Sequence, residues 1–181
     1  MQSKLIIFKI LIIIFLILKF DVVFAQHKAF QLTDTNVQKG DSCYVFPNFS
    51  LCERPVCSET LKLCDSIAQF LINNPSVVLE IQMHTDCRDI GSKNDTLTFK
   101  RVLQLKNLIL ENSTIDSNRI HLNGCGERVP RLVTNEINQL YPFLPIGQIL
   151  DESFIETIKN KKELEKVHDL NRRTLIIVLE K

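Results

Sequence analysis

The chain has 181 residues and a formal net charge of +1, with 22 Lys and Arg residues against 21 Asp and Glu residues. This length allows a targeting segment followed by one domain of ordinary size. The balanced charge excludes the basic footprint of a nucleic-acid-binding protein, and no run of like charges forms an acidic or basic tail.

The first 25 residues are predicted to be an export signal. Lys4 gives a positive start, the stretch Leu5–Leu18 is mostly apolar, and Val23-Phe24-Ala25 provides a signal-peptidase site. We therefore expect cleavage after residue 25 and no membrane span in the mature chain. The alternative is an uncleaved single-span anchor, which Lys9 and Lys19 disfavour because their charges interrupt the apolar run.

All six cysteines follow this signal, and an even number in an exported chain predicts disulfides. The connectivity cannot be read from the sequence. Cys87 and Cys125 each follow a predicted strand, and those two strands are expected to be neighbours, so Cys87–Cys125 is the first candidate pair. The remaining four are Cys43, Cys52, Cys57 and Cys64.

Residues 26–40 form a short polar lead that we expect to be flexible. A first strand is predicted over Ser42–Phe49, in which Pro47 indicates a sheet edge or a bulge. The first helix is predicted from Ser58, a good N-cap, to Leu71. Its buried stripe is expected to comprise Leu61, Cys64, Ile67, Ala68 and Leu71.

A second strand is predicted to end at His84, because apolar and polar residues alternate from Leu79 onwards. This alternation places His84 on the outward side of the strand. A polar loop follows, and the next helix is predicted over Phe99–Glu111 with Thr98 as its N-cap.

Asp86 is then expected at the C-terminal edge of that strand, and Arg101 in the first turn of the next helix. In a strand–loop–helix unit these two ends lie side by side, where α/β ligands usually bind. A carboxylate and a guanidinium beside one crevice suit a zwitterion, with Asp86 taking an ammonium group and Arg101 a carboxylate.

A third strand is predicted over Arg119–Asn123, closed by Gly124-Cys125-Gly126 and joined to the second by a right-handed parallel crossover. The segment Arg131–Leu170 is predicted to hold a helix over Asp151–His168, whose apolar positions are Phe154, Ile155, Ile158, Leu164 and Val167. Its charge run, residues 159–166, is interpreted as a solvated face. The last strand, Thr174–Leu179, is apolar at nearly every position and is expected to be central in the sheet.

Three motifs in order carry a resemblance to a known family. They are His84-Thr85-Asp86 with Asn94 and Leu97-Thr98-Phe99-Lys100-Arg101, then Arg119 to Glu127, then Asn171-Arg172-Arg173. The chain resembles the OmpA-like peptidoglycan-binding domain over residues 41–181, without an N-terminal barrel. The resemblance implies an α+β fold of the order β-α-β-α-β-(inserted helix)-β, a small mixed sheet with helices on one face. The connection over residues 131–170 is longer than is usual in the family and is interpreted as an insert.

The resemblance also implies a function, which is non-covalent binding of peptidoglycan in the cell envelope. In the family, the residues that match Asp86 and Arg101 hold the meso-diaminopimelate of the stem peptide. Thr85 is expected to offer a backbone N–H to the ligand, and Arg172 resembles an arginine near the pocket, with a salt bridge at the strand start as the equal alternative. Asn94 is expected either to hold the ligand or to brace the loop. The family glycine three residues after the aspartate is replaced by Asp89, which is expected either to strengthen ammonium binding or to pair with Arg88.

Catalysis and metal binding are not expected. His84 and His121 with Cys87 and Cys125 are the residues that an enzyme or a metal site would use, but the strand pattern places both histidines outward and no C-x-x-C spacing is present. We expect no cofactor, and a periplasmic location associated with the outer membrane. The alternative function is an envelope protein–protein interaction module of the same fold, with an inactive pocket, that uses residues 141–168 of the insert.

Overall fold

The computed structural model describes residues 29–45, 58–89, 91–111 and 113–181. The predicted export signal, the end of the first predicted strand, Cys52 and Cys57 lie outside these residues. Within the described ranges, no helix has both the length and the apolar character needed to cross a membrane.

The described part contains a four-stranded mixed sheet in the order β1-β4-β2-β3. The strands are β1 (Ser42–Val45), β2 (Val78–His84), β3 (Ile120–Gly126) and β4 (Arg173–Glu180). β2 and β3 are parallel, as expected for a strand–helix–strand unit, and β4 runs antiparallel to both β1 and β2. The predicted α+β fold with a small mixed sheet is confirmed, and so is the central position of the apolar last strand. The third strand begins one residue later than predicted, because Ser117–Arg119 forms a short 3₁₀ helix.

Two long helices, α1 (Ser58–Asn73) and α2 (Gly91–Glu111), pack with one face of the sheet to form the main core. Its fully buried members include Ile67, Phe70, Leu71, Leu79, Ile81, Val102, Leu105, Ile109, Ile120 and Ile176. The predicted stripe of α1 is correct at Cys64, Ile67 and Leu71 and wrong at Leu61, which is exposed. Thr60 takes the buried position instead, one residue or about 100° away around the helix.

The start of α2 was predicted too late. The helix begins at Gly91, and Thr98 is not its N-cap but a buried interior residue whose hydroxyl donates to the carbonyls of Asn94 and Asp95. The buried residues in its first two turns, Asn94 and Thr98, are polar, so no apolar periodicity signals this part of the helix.

The lead was expected to be flexible, but its described part belongs to the folded domain. Phe30 and Val37 are buried in the main core, and the Phe30 ring centroid lies 5.2 Å from that of Phe70. Ala29 also forms a bridge with Ser42 of β1. Two apolar side chains therefore anchor a segment whose composition is otherwise polar.

The insert contains three short helices rather than one long helix. They are α3 (Asn135–Leu140), α4 (Glu152–Ile155) and α5 (Lys161–Asn171). The predicted helix Asp151–His168 is broken because Asn160 caps a new helix, its side chain accepting a hydrogen bond from the Lys162 backbone. The insert has a core of its own, formed by Val133, Ile137, Leu144, Leu150, Ile155 and Val167. The predicted apolar positions Phe154, Ile158 and Leu164 are partly buried against it.

Candidate functional site

The candidate site begins where β2 ends. Thr85 is buried and its backbone N–H donates to the Gly126 carbonyl at 2.8 Å, which extends the contact between β2 and β3. The predicted role of this N–H as a ligand donor is therefore wrong for this structure, because the strand pairing already uses it. The Thr85 hydroxyl is buried without a hydrogen-bond partner.

Asp86 follows directly and is only 7% exposed. Its Oδ2 accepts from Arg88 Nη2 at 2.8 Å and from Arg88 Nε at 3.1 Å, and it also forms an ion pair with Arg172 Nη1. Burial raises the pKa of the Asp86 carboxyl, but the hydrogen bonds from Arg88 and Arg172 together outweigh burial and hold that pKa below its usual value. Asp86 is thus an ionised carboxylate enclosed by two guanidinium groups.

The insert supplies an outer ring of charge around this pair. Glu165 of α5 accepts from Arg172 Nη2 at 2.9 Å and from Arg88 Nη1 at 3.3 Å, and Asp169 of the same helix also pairs with Arg172. His168 is buried between them, with Nδ1 4.0 Å from Asp86 Oδ2. Burial lowers the pKa of His168, and the Asp86 carboxylate opposes that fall.

Sequence reasoning did not assign Glu165, His168 or Asp169 to the site. Glu165 lies inside the charge run that was interpreted as a solvated face. Its spacing from Asp169 and Arg172 could have indicated a charged cluster, because positions 165, 169 and 172 share one face of a helix. For Arg172, the salt-bridge reading made from the sequence is the one that the structure shows. Arg88 pairs with Asp86 and Glu165 and makes no ion pair with Asp89.

Arg101 does not lie in the first turn of α2, as predicted, but ten residues after Gly91, about 15 Å along the helix axis. Asp86 forms ion pairs with Arg88 and Arg172, and Arg101 is not among its partners. The Arg101 side chain is half-buried, and its Nε is buried without a hydrogen-bond partner.

Asn94 braces the loop. It is 2% exposed, and its Nδ2 lies within hydrogen-bond distance of the Asp86 carbonyl at 3.1 Å, the Asp89 carbonyl at 3.2 Å and Glu127 Oε2 at 2.8 Å. These contacts join the first turns of α2 to the end of β2 and to the loop after β3. Of the two roles that were predicted for the Asn94 amide, the structure therefore shows the bracing of the loop.

Comparison with known proteins gives structural matches only. No protein-family model matches the chain, and neither does any curated protein sequence. The periplasmic domain of Helicobacter pylori MotB matches with a TM-score of 0.52 and 11% identity, covering 81% of this chain and 80% of that one. The OmpA-like domain of FopA1 from Francisella tularensis matches with a TM-score of 0.43 and 13% identity over 88% of this chain and 96% of that chain. The peptidoglycan-associated lipoprotein from Burkholderia pseudomallei matches with a TM-score of 0.47 and 19% identity over 83% and 98%.

The chain has an OmpA-like fold. Within this fold, the three sequence motifs come together at one edge of the sheet. His84-Thr85-Asp86 ends β2, Gly124 to Glu127 ends β3, and Asn171-Arg172-Arg173 leads into β4. Contacts from Asn94 to Glu127 and from Arg172 to Asp86 link the motifs directly.

The suggested Cys87–Cys125 disulfide is not formed in this OmpA-like fold, because both residues are free thiols in the structure, as are Cys43 and Cys64. A register shift between Met83 and His84 makes Cys125 the unpaired residue of β3, and its Sγ donates to the Asn123 carbonyl at 3.8 Å. Cys87 packs instead against the core of the insert. The two thiols thus belong to different surroundings although the strands that precede them are neighbours.

His84 was predicted to lie on the outward side of β2, but it is not exposed there. His84 does lie on the side of β2 opposite the main core, but it is 4% exposed because Arg173 and the start of the insert cover it. His121 is exposed, as predicted. Among the residues that the structure describes, no group of three His, Cys, Asp or Glu side chains is arranged to hold a metal ion.

Proposed function

We propose that this chain binds peptidoglycan non-covalently in the bacterial cell envelope and that it is a binding protein rather than an enzyme. The observation that carries the proposal is the cluster at the end of β2, where the buried carboxylate of Asp86 pairs with Arg88 and Arg172, and both arginines also pair with Glu165. A cluster that combines unlike charges at a sheet edge suits a ligand that carries both an ammonium and a carboxylate group. The motif resemblance implies that this ligand is the free amino-acid centre of meso-diaminopimelate.

The mechanism is an exchange of charge partners. Asp86 has no free face, so a ligand ammonium reaches it only by replacing the guanidinium of Arg88 or Arg172. The guanidinium released in this way is free to take the ligand carboxylate bidentately. Arg88 is the more mobile candidate, because its side chain is half exposed while that of Arg172 is more enclosed. Arg101, whose Nε has no hydrogen-bond partner, is proposed as a second hydrogen-bond donor to the ligand carboxylate.

Exchange of internal ion pairs for ligand ion pairs yields modest affinity that falls as salt rises. A periplasmic setting is proposed for this chain because the ligand lies there, because the predicted export signal directs it there, and because the matched MotB structure is a periplasmic domain. Association with the outer membrane is part of the same proposal.

A pull-down on purified sacculi tests the proposal. We expect Asp86→Ala to lower the bound fraction at least tenfold, since a charge-assisted contact contributes about 1.5–3 kcal/mol. Asp65→Ala is the matched control, because Asp65 is an exposed residue of α1 and its loss changes the net charge equally. Equal binding by wild type and Asp86→Ala would refute the role of this site.

Competition with soluble ligands provides a test that does not depend on folding of a variant. We expect meso-diaminopimelate to displace the wild-type protein from sacculi, and 1,5-diaminopentane, which has two ammonium groups but no carboxylate, to be much weaker. Equal displacement by both compounds would show that the carboxylate and ammonium pair is not what the protein recognises.

The second candidate function is a protein–protein interaction module that uses the insert. The supporting observation is a group of exposed large apolar side chains within residues 132–149, namely Leu132, Leu140, Phe143, Ile146 and Ile149. Phe143, Ile146 and Ile149 lie within residues 141–168, the part of the insert that was predicted to contact a partner, and Leu140 directly precedes it. If Leu140→Ser with Ile146→Ser abolishes envelope association in cells while sacculus binding in vitro is unchanged, the insert rather than Asp86 determines the partner.

A further inference from the structure

A cluster of basic side chains lies on the sheet face opposite α1 and α2. His84 of β2 and Arg173 of β4 are direct partners across the strands, so their side chains point to the same face. This is the face opposite Leu79, Ile81 and Met83, which belong to the main core. His84 is 4% exposed and Arg173 is 7% exposed, although both carry polar nitrogen atoms.

Arg131, at the start of the insert, covers the same face of the sheet over β1, the strand next to β4. Its guanidinium carbon lies 3.6 Å from the ring centroid of Tyr44, whose partner on β4 is Leu175, two residues from Arg173. The backbone of Arg131 is fixed by its N–H, which donates to Asn171 Oδ1, and by its carbonyl, which accepts from the Leu150 N–H. Arg131 is therefore held over the ring by the surrounding structure and by a cation–π contact.

Neither guanidinium group of this cluster has a carboxylate partner among the described residues. No Asp or Glu of the described residues lies within 4.0 Å of the guanidinium of Arg131 or Arg173, whereas Arg88, Arg128 and Arg172 all form ion pairs. Arg173 donates to the carbonyls of Asn171 at 3.1 Å and Val129 at 2.8 Å, and its Nε is buried without a partner.

The imidazole of His84 is equally unsatisfied. Neither of its ring nitrogens has a hydrogen-bond partner of acceptable geometry, although the Val129 carbonyl is close enough to act on it. Burial, followed by the charges of Arg173 and Arg131, lowers the pKa of His84 to about 3. Burial and the charge of Arg131 likewise lower the pKa of Arg173 to about 10. The two guanidinium charges of Arg173 and Arg131 thus act on each other beside a neutral imidazole, which is unfavourable in a site with little solvent unless an anion joins them.

We propose that Arg131, Arg173 and His84 form a binding site for a small oxyanion, either a carboxylate or a phosphate group, on the sheet face opposite α1 and α2. The unpaired Nε of Arg173, the guanidinium of Arg131 and the imidazole N–H of His84 supply donors, and planar guanidinium groups match oxyanions in shape. The Tyr44 ring, which is partly exposed, forms the solvent side of the site. This site is separate from Asp86 and does not depend on the function proposed above.

The test is an NMR titration of the full mature chain with inorganic phosphate and with acetate, at constant ionic strength against chloride. We expect saturable shifts of the side-chain signals of Arg131, Arg173 and His84, and a bound anion is expected to raise the pKa of His84. A preference for phosphate assigns the site to phosphate groups, and a preference for acetate assigns it to carboxylates.

Two variants make the titration specific. We expect Arg131→Gln to weaken binding at least tenfold, while Arg128→Gln leaves it unchanged, since Arg128 is exposed and paired with Asp95. Wild-type signals that follow ionic strength alone, with no saturation, would overturn the proposal.

Discussion

Asp86 is both a structural ion and the residue on which proposed binding depends. Its pKa in the folded state lies below the ordinary value, because the hydrogen bonds from Arg88 and Arg172 outweigh the effect of burial. A carboxylate whose pKa is depressed in the folded state stabilises the protein. The stabilisation is complete at pH values above the pKa of the group in the unfolded chain, about 3.9, and it is lost as the pH falls through the pKa of the folded state.

We therefore expect the free energy of unfolding of wild type to exceed that of Asp86→Asn by about 1–2 kcal/mol at pH 7, since the arginine partners are partly exposed. This difference should shrink below about pH 4 as Asp86 is protonated. Urea unfolding of both proteins between pH 2 and pH 7 measures it. A difference that stays constant with pH would contradict the assignment of Asp86 as an ionised carboxylate.

Gly124 is the second residue for which a specific cost is expected. A Cβ at this position would lie 2.7 Å from the backbone nitrogen of Phe99 and 3.0 Å from its Cα, so β3 and α2 would have to separate. We expect Gly124→Ala to lower the free energy of unfolding by about 1–3 kcal/mol, the usual cost of overpacking. Chemical denaturation measures this, with Lys100→Ala on the exposed side of α2 as a control of near-zero effect.

At the scale of single residues, the sequence identified the residues that matter but not always their roles. Asp86 and Asn94 were found because short motifs place them after a strand, and this is local information. The exposure of His84 could not be predicted, because the strand pattern specifies which side it faces but not that Arg173 and the insert cover that side. Thr85 was misjudged for the same reason, since its N–H is used by Gly126 on another strand.

At the scale of elements, errors arose where a boundary is polar. The first turns of α2 are held by hydrogen bonds of Asn94 and Thr98, which hydrophobic periodicity does not detect. The break between α4 and α5 likewise depends on the cap at Asn160, while the apolar spacing continues across it. β2, β4 and α1 were placed within a few residues because their buried faces are apolar.

The cap at Asn160 yields the prediction at this scale. Its side-chain oxygen accepts from the Lys162 N–H at 3.0 Å and satisfies one of the free amides at the start of α5. We expect Asn160→Ala to destabilise the protein by about 1 kcal/mol and Asn160→Asp to be tolerated. Thermal unfolding of both, beside Lys159→Ala, measures this effect. Equal stability of Asn160→Ala and wild type would show that packing alone starts the helix.

For the molecule as a whole, the site joins parts of the chain that lie far apart in sequence. Arg172 and Asp86 are 86 positions apart, and Glu165 reaches Arg88 across 77. The segment that was interpreted as an insert therefore supplies Glu165 and Asp169, two carboxylates that pair with the arginine partners of Asp86. No local pattern predicts such a contact, because it depends on how the two cores, that of the sheet and that of the insert, are placed against each other.

The two cores lead to the last prediction, that the insert unfolds locally at lower free energy than the sheet. Leu144 is fully buried in the core of the insert, so Leu144→Ala should cost that core about 2–4 kcal/mol. We expect faster hydrogen exchange at the Gly147 and Leu150 amides, which bond to the Val133 and Arg131 carbonyls, and unchanged exchange at Ile176 of β4.

Leu140→Ala is the control, since Leu140 is exposed. If Leu144→Ala accelerates exchange at Ile176 as much as at Leu150, the insert and the sheet form one cooperative unit. If exchange accelerates in the insert alone, opening of the insert is a local event that also carries Glu165 and Asp169 away from Arg172 and Arg88. Sacculus binding should then be stronger in Leu144→Ala than in wild type, because local opening lowers the cost of exchanging the internal ion pairs for those of the ligand.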